Sequence, residues 1–329
     1  MAIFRCNKCG HIREVGSDYI GKSVKCPKCD NSSTIHDTVA FINALIKMHI
    51  TQAKELNKLR KELTHENSDQ ESVEKFSFED IDIHNTNILT QKQNFTPIVE
   101  WFEKRNIQVQ VNPDAVDTTG FFDEIAYLLG NNFSVLSFVS NQLKYIQNKG
   151  YTNVKLELSK KNQKEIQQIT SFCKTLHDYS FVAKYHYQKK DKIIRLTLQT
   201  APKIRQFFNG VWMEWFALMK LLELFSNKRI NPACSRNLDI TFSNNDSYEL
   251  DLFILTEKGI PICVECKTGE FRQDIDKYLT LRKQLNIEKN LFVICVFGLS
   301  QEQAEGMNSM YDLTFVNESN FLNHIQTVI

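Results

Sequence analysis

One stretch of periodicity limits the fold of this chain more than any other feature. From Gly210 onward, apolar residues recur first at helical spacing over 211–225, then alternate over three runs, 238–242, 248–255 and 260–267. A helical pattern over 274–285 and an apolar strand over 291–297 follow, with another helix and a last short strand near Leu313. The predicted order is αβββαβ, an α/β domain over 210–329.

Within that order the charges fall on one face. In YELDLFIL, Glu249 and Asp251 alternate with Leu250, Leu252 and Ile254, so both carboxylates leave the strand opposite the core. In IPICVECKTG, Glu265 and Lys267 share a face while Val264 and Cys266 point away. The turn at Lys258-Gly259 makes these strands neighbours and can bring Asp251, Glu265 and Lys267 together. Charges in an apolar strand are costly without a partner, and a divalent cation is such a partner. Two carboxylates and the backbone carbonyl of Cys266 form an oxygen ligand set suited to Mg²⁺ or Mn²⁺. Lys267 beside the ion can orient, and help deprotonate, a water aimed at phosphorus. The predicted chemistry is phosphodiester hydrolysis. The competing reading is an ordinary Glu265–Lys267 ion pair on an exposed strand face, with Asp251 a surface carboxylate. Cys263 and Cys266 form a C-x-x-C, but three apart on a strand they face opposite ways and cannot share a metal.

The Asp-(x)n-Glu-x-Lys pattern in this order resembles the PD-(D/E)xK nuclease superfamily. More narrowly, GVWMEWFALMKL, YELD and VECKTG resemble the nuclease domain of CRISPR ancillary nucleases that carry a cyclic-oligonucleotide sensor, over about the last 120 residues. The resemblance implies a restriction-endonuclease-like domain whose sheet face, bearing Asp251, Glu265 and Lys267, binds metal and cuts or nicks nucleic acid. It further implies a DNA endonuclease, with DNA preferred to RNA, in prokaryotic defence, working as a homodimer. Asp251 and Glu265 would ligate metal and Lys267 position the attacking water. Glu249 would be a second ligand or a substrate-side carboxylate. Glu214, on the opening helix, would extend the metal site or orient Lys267. Two features depart from the family. A ribbon and helix stand where those relatives carry their sensor, and Gln273 and Tyr278 lie one residue too far apart for the Gln-x-x-x-Tyr motif of RecB-like relatives.

Residues 1–36 are too poor in large aliphatics to form a core, so their stability needs another source. Cys6-x-x-Cys9 and Cys26-x-x-Cys29, sixteen residues apart, have the spacing of a two-knuckle site, whose four thiolates close a tetrahedron around structural Zn²⁺. The run FRCNKCGHIREVGSDYIGKSVKCPKCD resembles a common class of prokaryotic zinc ribbons, which dock nucleic acid, bind protein or brace the helix that follows. Residues 16–23 match G-x-x-x-x-G-K-S by letter. A phosphate loop needs a helix beginning at its Lys-Ser, and the Cys26-Pro27 knuckle leaves no room for one.

From Asp37 an amphipathic helix is predicted over 37–64, either packed on its own chain or pairing two chains as a coiled coil through Ile42, Leu56 and Leu63. A polar linker over 65–75 leads into a middle α/β or α+β domain over 76–209. Near its end two alternating strands flank a charged turn after a helix, carrying Lys184, Lys189, Lys190, Lys192 and Arg195. This hairpin is a candidate wing on nucleic acid; the plainer reading is a solvated hairpin. A non-catalytic nucleic-acid or protein adaptor using ribbon and hairpin is the alternative function.

Forty basic residues against 39 acidic ones leave a net charge of +1, so any nucleic-acid site must be local. Of the nine cysteines, four have metal spacing and the rest are scattered, which fits a reducing compartment. With no apolar run of membrane-spanning length and no secretory pattern, a cytoplasmic location without membrane partners is expected.

Overall fold

The computed structural model describes residues 2–6, 8–39, 93–116 and 121–329. The chain divides into two compact units, residues 1–75 and 76–329. Among the described residues no helix is long and apolar enough to cross a membrane.

The first unit contains a four-stranded antiparallel sheet of β1 (Ala2–Arg5), β2 (Ile12–Val15), β3 (Ser23–Lys25) and β4 (Ser32–Asp37), in the order β2-β1-β4-β3. Its buried apolar residues are Ala2, Phe4 and Ile35 with the thiols of Cys6 and Cys26. A core that small needs a staple. The segment matching the phosphate-loop letters is a short 3₁₀ turn, Ser17–Tyr19, running into β3, so no helix receives a phosphate there. The helix expected over 37–64 and the linker over 65–75 lie, from residue 40 on, outside the described residues.

The second unit is built on a six-stranded sheet of β5 (Gln108–Gln110), β9 (Ala233–Thr241), β10 (Ser247–Leu255), β11 (Pro261–Thr268), β12 (Phe292–Phe297) and β13 (Thr314–Val316). The order is β13-β12-β11-β10-β9-β5. Strands joined by short turns pair antiparallel. The β11–β12 and β12–β13 pairs are parallel, reached through crossover helices at Ile275–Leu285 (α7) and Gln301–Met310 (α8). The predicted strands and helices of 210–329 are present, with a closing helix, α9 (Phe321–Val328), that the sequence pattern did not announce.

Residues 93–116, read from sequence as part of a separate middle domain, share this sheet. β5 pairs with β9 through Val109 and Ile240. The helix α1 (Thr96–Glu103) packs Trp101 and Phe102 on Phe253 of β10, with ring centroids 5.1 and 4.8 Å apart. A three-residue edge strand has too little alternation to announce a partner this distant in sequence. The rest of the middle segment runs α2 (Phe122–Asn131), α3 (Phe133–Asn148), β6 (Asn153–Glu157), α4 (Gln163–Asp178), β7 (Val182–Gln188), β8 (Ile193–Leu198) and α5 (Pro202–Gln206). Its sheet is ordered β6-β8-β7, so the expected hairpin is present.

The helix α6 (Trp212–Lys228) packs against β10 and β11 as well as α2, and is apolar on nearly every side and correspondingly buried. Gly130 of α2 lets it approach, since a Cβ at that position would stand 2.2 Å from the Phe216 ring. Alanine is worth about 1 kcal/mol over glycine in a helix, whereas overpacking a core costs about 1–3 kcal/mol, and at such a separation the clash dominates. Gly130→Ala is therefore expected to lower stability by about 1–2 kcal/mol in denaturant titrations, with part restored by Phe216→Leu. An unchanged or raised midpoint would disprove this packing argument.

Candidate active site

The site begins with a break in the sheet. β10 pairs with β11 from Leu255↔Pro261 as far as Leu252↔Val264, and the ladder stops before Asp251 and Glu265. The ladder between β10 and β9 runs on both sides of the same point but skips the Asp251–Asn237 position, where Asn237 takes a left-handed backbone with φ 52°. Side chains replace the missing bridges. The Asp251 N–H donates to Glu265 Oε1 at 3.3 Å, and the Cys266 N–H donates to Asp251 Oδ2 at 2.7 Å. Each carboxylate is thus tied to the other strand's backbone.

Lys267 Nζ stands 3.5 Å from Asp251 Oδ2 and 3.5 Å from Glu265 Oε2. The structure therefore brings Asp251, Glu265 and Lys267 together, as their alternation implied. Glu265 is only 2% exposed, and burial, then the charge of Asp251, pushes its pKa up to about 8. Burial opposes the Lys267 charge, but Asp251 and Glu265 outweigh it and hold the lysine pKa above its ordinary value.

Glu214 and Glu249 are placed differently. Glu214 lines the same cleft as Asp251, Cys266 and Lys267, a space of about 360 Å³ that Lys144 of α3 also borders. Its partner, however, is Arg236 of β9, whose Nη1 donates to Glu214 Oε2 at 2.8 Å. A buried guanidinium thus stands next to Glu214, at the edge of the cleft that Lys267 also lines. Burial and Asp251 push the Glu214 pKa up to about 7. Glu249 is exposed, opposite Asp239 in the β9–β10 ladder, and burial, Asp239 and Asp251 raise its pKa.

Three further residues bear on this cleft. Arg236 is 6% exposed, and its Nε donates to the Ala115 carbonyl at 2.7 Å. Nothing in the mixed polar and apolar strand around it, ACSRNLDIT, singles it out. Tyr278 on α7 is buried with its ring centroid 5.7 Å from Lys267 Nζ, so it supports the lysine despite the irregular spacing from Gln273. Lys144 Nζ donates to the Asn209 carbonyl at 3.1 Å; nothing in its helical pattern marked it.

Of the expected nucleic-acid contacts, Lys189, Lys190 and Lys192 occupy the β7–β8 turn, while Lys184 and Arg195 lie on its strands. All five are exposed, and none lines the cleft. Register places Lys155, Arg195 and His186 directly opposite one another across β6, β8 and β7, an exposed row on one face.

In the first unit the two knuckles are built alike. The Gly10 N–H donates to the Cys6 carbonyl at 3.0 Å and the Asp30 N–H to the Cys26 carbonyl at 2.9 Å. Gly10 and Asp30 both take the left-handed backbone that closes such a turn, with φ 71° and 54°. The Lys28 N–H points at Cys26 Sγ, 3.4 Å away, and backbone N–H groups at Cys9 and Lys8 bring the Cys6 thiol down to about 6. The four sulfurs lie within 4.8 Å of one another, with Cys6–Cys29 at 3.4 Å and Cys9–Cys26 at 3.6 Å. Tetrahedral Zn²⁺ with bonds of about 2.3 Å requires S···S separations of about 3.8 Å. The four thiols can hold one zinc ion.

No protein-family profile matches the chain, and no curated protein matches it in sequence. Solved structures are similar to it. The structure of Can2 from Sulfobacillus thermosulfidooxidans in complex with cyclic tetra-adenylate (cA4) is similar with a TM-score of 0.50 at 15% identity, over 70% of this chain and 59% of that one. Protein VC1899 from Vibrio cholerae has a TM-score of 0.49 at 15% identity, over 70% and 60%. The chain therefore spans about 60% of the length of these neighbours, and what the match to Can2 shows is a shared mixed α/β fold.

Proposed function

We propose that this chain is a divalent-metal-dependent nuclease that hydrolyses phosphodiester bonds, a DNA endonuclease of prokaryotic defence related to the PD-(D/E)xK enzymes. The observation that carries the reading is the opened ladder at Asp251. It uses two backbone N–H groups to hold two carboxylates together at a cleft with a lysine beside them. Asp251 and Glu265, with the Cys266 carbonyl, would hold Mg²⁺ or Mn²⁺, ions that take few protein oxygens and keep several waters. Bound there, the ion supplies Lewis-acid stabilisation of phosphoryl oxygens and acidifies a bound water. Lys267 would orient the attacking water and, with the metal, help to deprotonate it. Tyr278 keeps the ammonium from swinging away. Glu249, exposed two residues before Asp251 on the same strand, would serve as a second ligand or a substrate-side carboxylate. The fold shared with Can2 supports the reading. The cyclic tetra-adenylate bound to Can2 is not carried over, because about two-fifths of Can2 has no counterpart here.

The test compares cleavage of supercoiled plasmid and single-stranded DNA and RNA by the wild type, Asp251→Ala and Lys267→Ala, with Mg²⁺, Mn²⁺ or EDTA. Metal-dependent cutting that both variants lose by about a hundredfold or more is expected. Variants as fast as the wild type would sink the assignment. The exposed Lys155–Arg195–His186 row favours a second reading, a binding adaptor, which predicts affinity that falls steeply with salt and ignores divalent metal.

A further inference from the structure

A second, larger cleft of about 720 Å³ adjoins the first, and Gln206 and Val211 line both. The Glu214–Arg236 ion pair joins them as well, since Glu214 borders the first and Arg236 the second. The metal-side carboxylates and this space are therefore one ion pair apart. Its volume is within the range of roughly 300–1,000 Å³ typical of small-ligand sites.

The lining chemistry narrows the occupant. Asn112, Gln206 and Asn237 present side-chain amides, which both donate and accept hydrogen bonds and so match the mixed edges of a nucleobase. Trp215, 4% exposed and with a ring face covered by the Arg236 guanidinium 4.2 Å from its centroid, offers the cleft an aromatic edge. Nε and Nη1 of Arg236 serve Ala115, Glu214 and Asn237; among the described residues no hydrogen-bond acceptor meets Nη2. An apolar ligand would leave such donors unmet. A polyphosphate is disfavoured because the cleft has one exposed ammonium, Lys203, and a carboxylate, Asp114. What remains is one base, or one nucleotide with a single phosphate.

We propose that this second cleft is the berth of the nucleotide adjoining the scissile phosphate, its base held against Trp215 and the amides and its phosphate met by Lys203. The proposal rests on the nuclease reading and deepens it. It also gives the middle segment a role in catalysis, because Lys203 and Gln206 of α5 become substrate-binding residues, supplied to the site by the chain that precedes α6.

The experiment uses the full chain with Mn²⁺ and a set of single-stranded oligonucleotides, each carrying one abasic position at successive distances from the cut. Loss of one bound base is expected to lower kcat/KM about ten- to a hundredfold at a position next to the cut and less than about twofold elsewhere. In Gln206→Ala and Lys203→Ala combined, the intact strand is cut more slowly and the abasic penalty shrinks, because the contact is already gone. Equal cutting of every abasic strand overturns the berth while leaving the nuclease reading intact. So does a full penalty that persists in the double variant. Binding of a free mononucleotide without any abasic penalty would assign the cleft to a soluble effector and also overturn it. Absence of cleavage under any metal overturns the nuclease reading, and the berth with it.

Discussion

Replacing Glu265 with Gln is expected to stabilise the metal-free protein and to cut metal-dependent cleavage by about a hundred- to a thousandfold. The two effects have one origin. A carboxyl that is 2% exposed next to Asp251 has its pKa pushed up to about 8, against about 4.3 in an unfolded chain. Between those values the folded protein binds a proton that the unfolded one does not. Stability from this group is therefore fully present below about pH 4 and is lost as pH rises through about 8, at about 1.4 kcal/mol per unit. Gln fills the same volume and can still accept from the Asp251 N–H, but it has no charge to bury. At pH 8 the variant should exceed the wild type by about 2–4 kcal/mol in urea titrations with chelator, and by much less at pH 5. Glu214, raised to about 7, contributes the same sign of pH dependence to both proteins and cancels in the difference. Parallel stability curves at the two pH values would refute the buried-acid argument. Cleavage falls because Gln offers the metal a neutral oxygen in place of an anion. On the proposed reading, metal binding at this position is held at the expense of stability.

Chelation, or Cys26→Ser, should unfold residues 2–39 while leaving the core of the second unit in place. Among its described residues the ribbon buries three apolar side chains besides its thiols. The free energy of structural zinc binding, about 10–16 kcal/mol for zinc-finger peptides, would here be folding free energy. One zinc per chain is expected by metal analysis. After chelation, the amides of β1 and β4 should lose hydrogen-exchange protection while those of β10 to β12, in a separate and continuous core, keep theirs. Protected β1 and β4 amides after complete removal of metal would show that the sheet folds without it.

Much of this site can be read from residue order, because it depends on local periods. Alternation along a strand puts Glu249 and Asp251 on one side of β10 and Glu265 and Lys267 on one side of β11 whatever else the chain does. A turn at Lys258-Gly259 then makes the strands neighbours. The knuckle spacing at Cys6, Cys9, Cys26 and Cys29 is equally local, since a thiol pair three residues apart needs only a tight turn. The helices α1 and α9, by contrast, are not announced by the sequence, nor is the pairing of β5 with β9. Short elements carry little periodic signal, and their partners are chosen by packing.

Period and spacing thus settled which side chains share a face, which strands adjoin and which thiols meet, since each follows from backbone geometry within a few residues. The folded chain settled the rest. The ladder opens at Asp251, Arg236 pairs with Glu214, Tyr278 flanks the lysine, and α5 borders a second cleft. These outcomes turn on where low-dielectric burial favours one donor over another, and that is decided only when segments distant in the chain are packed side by side.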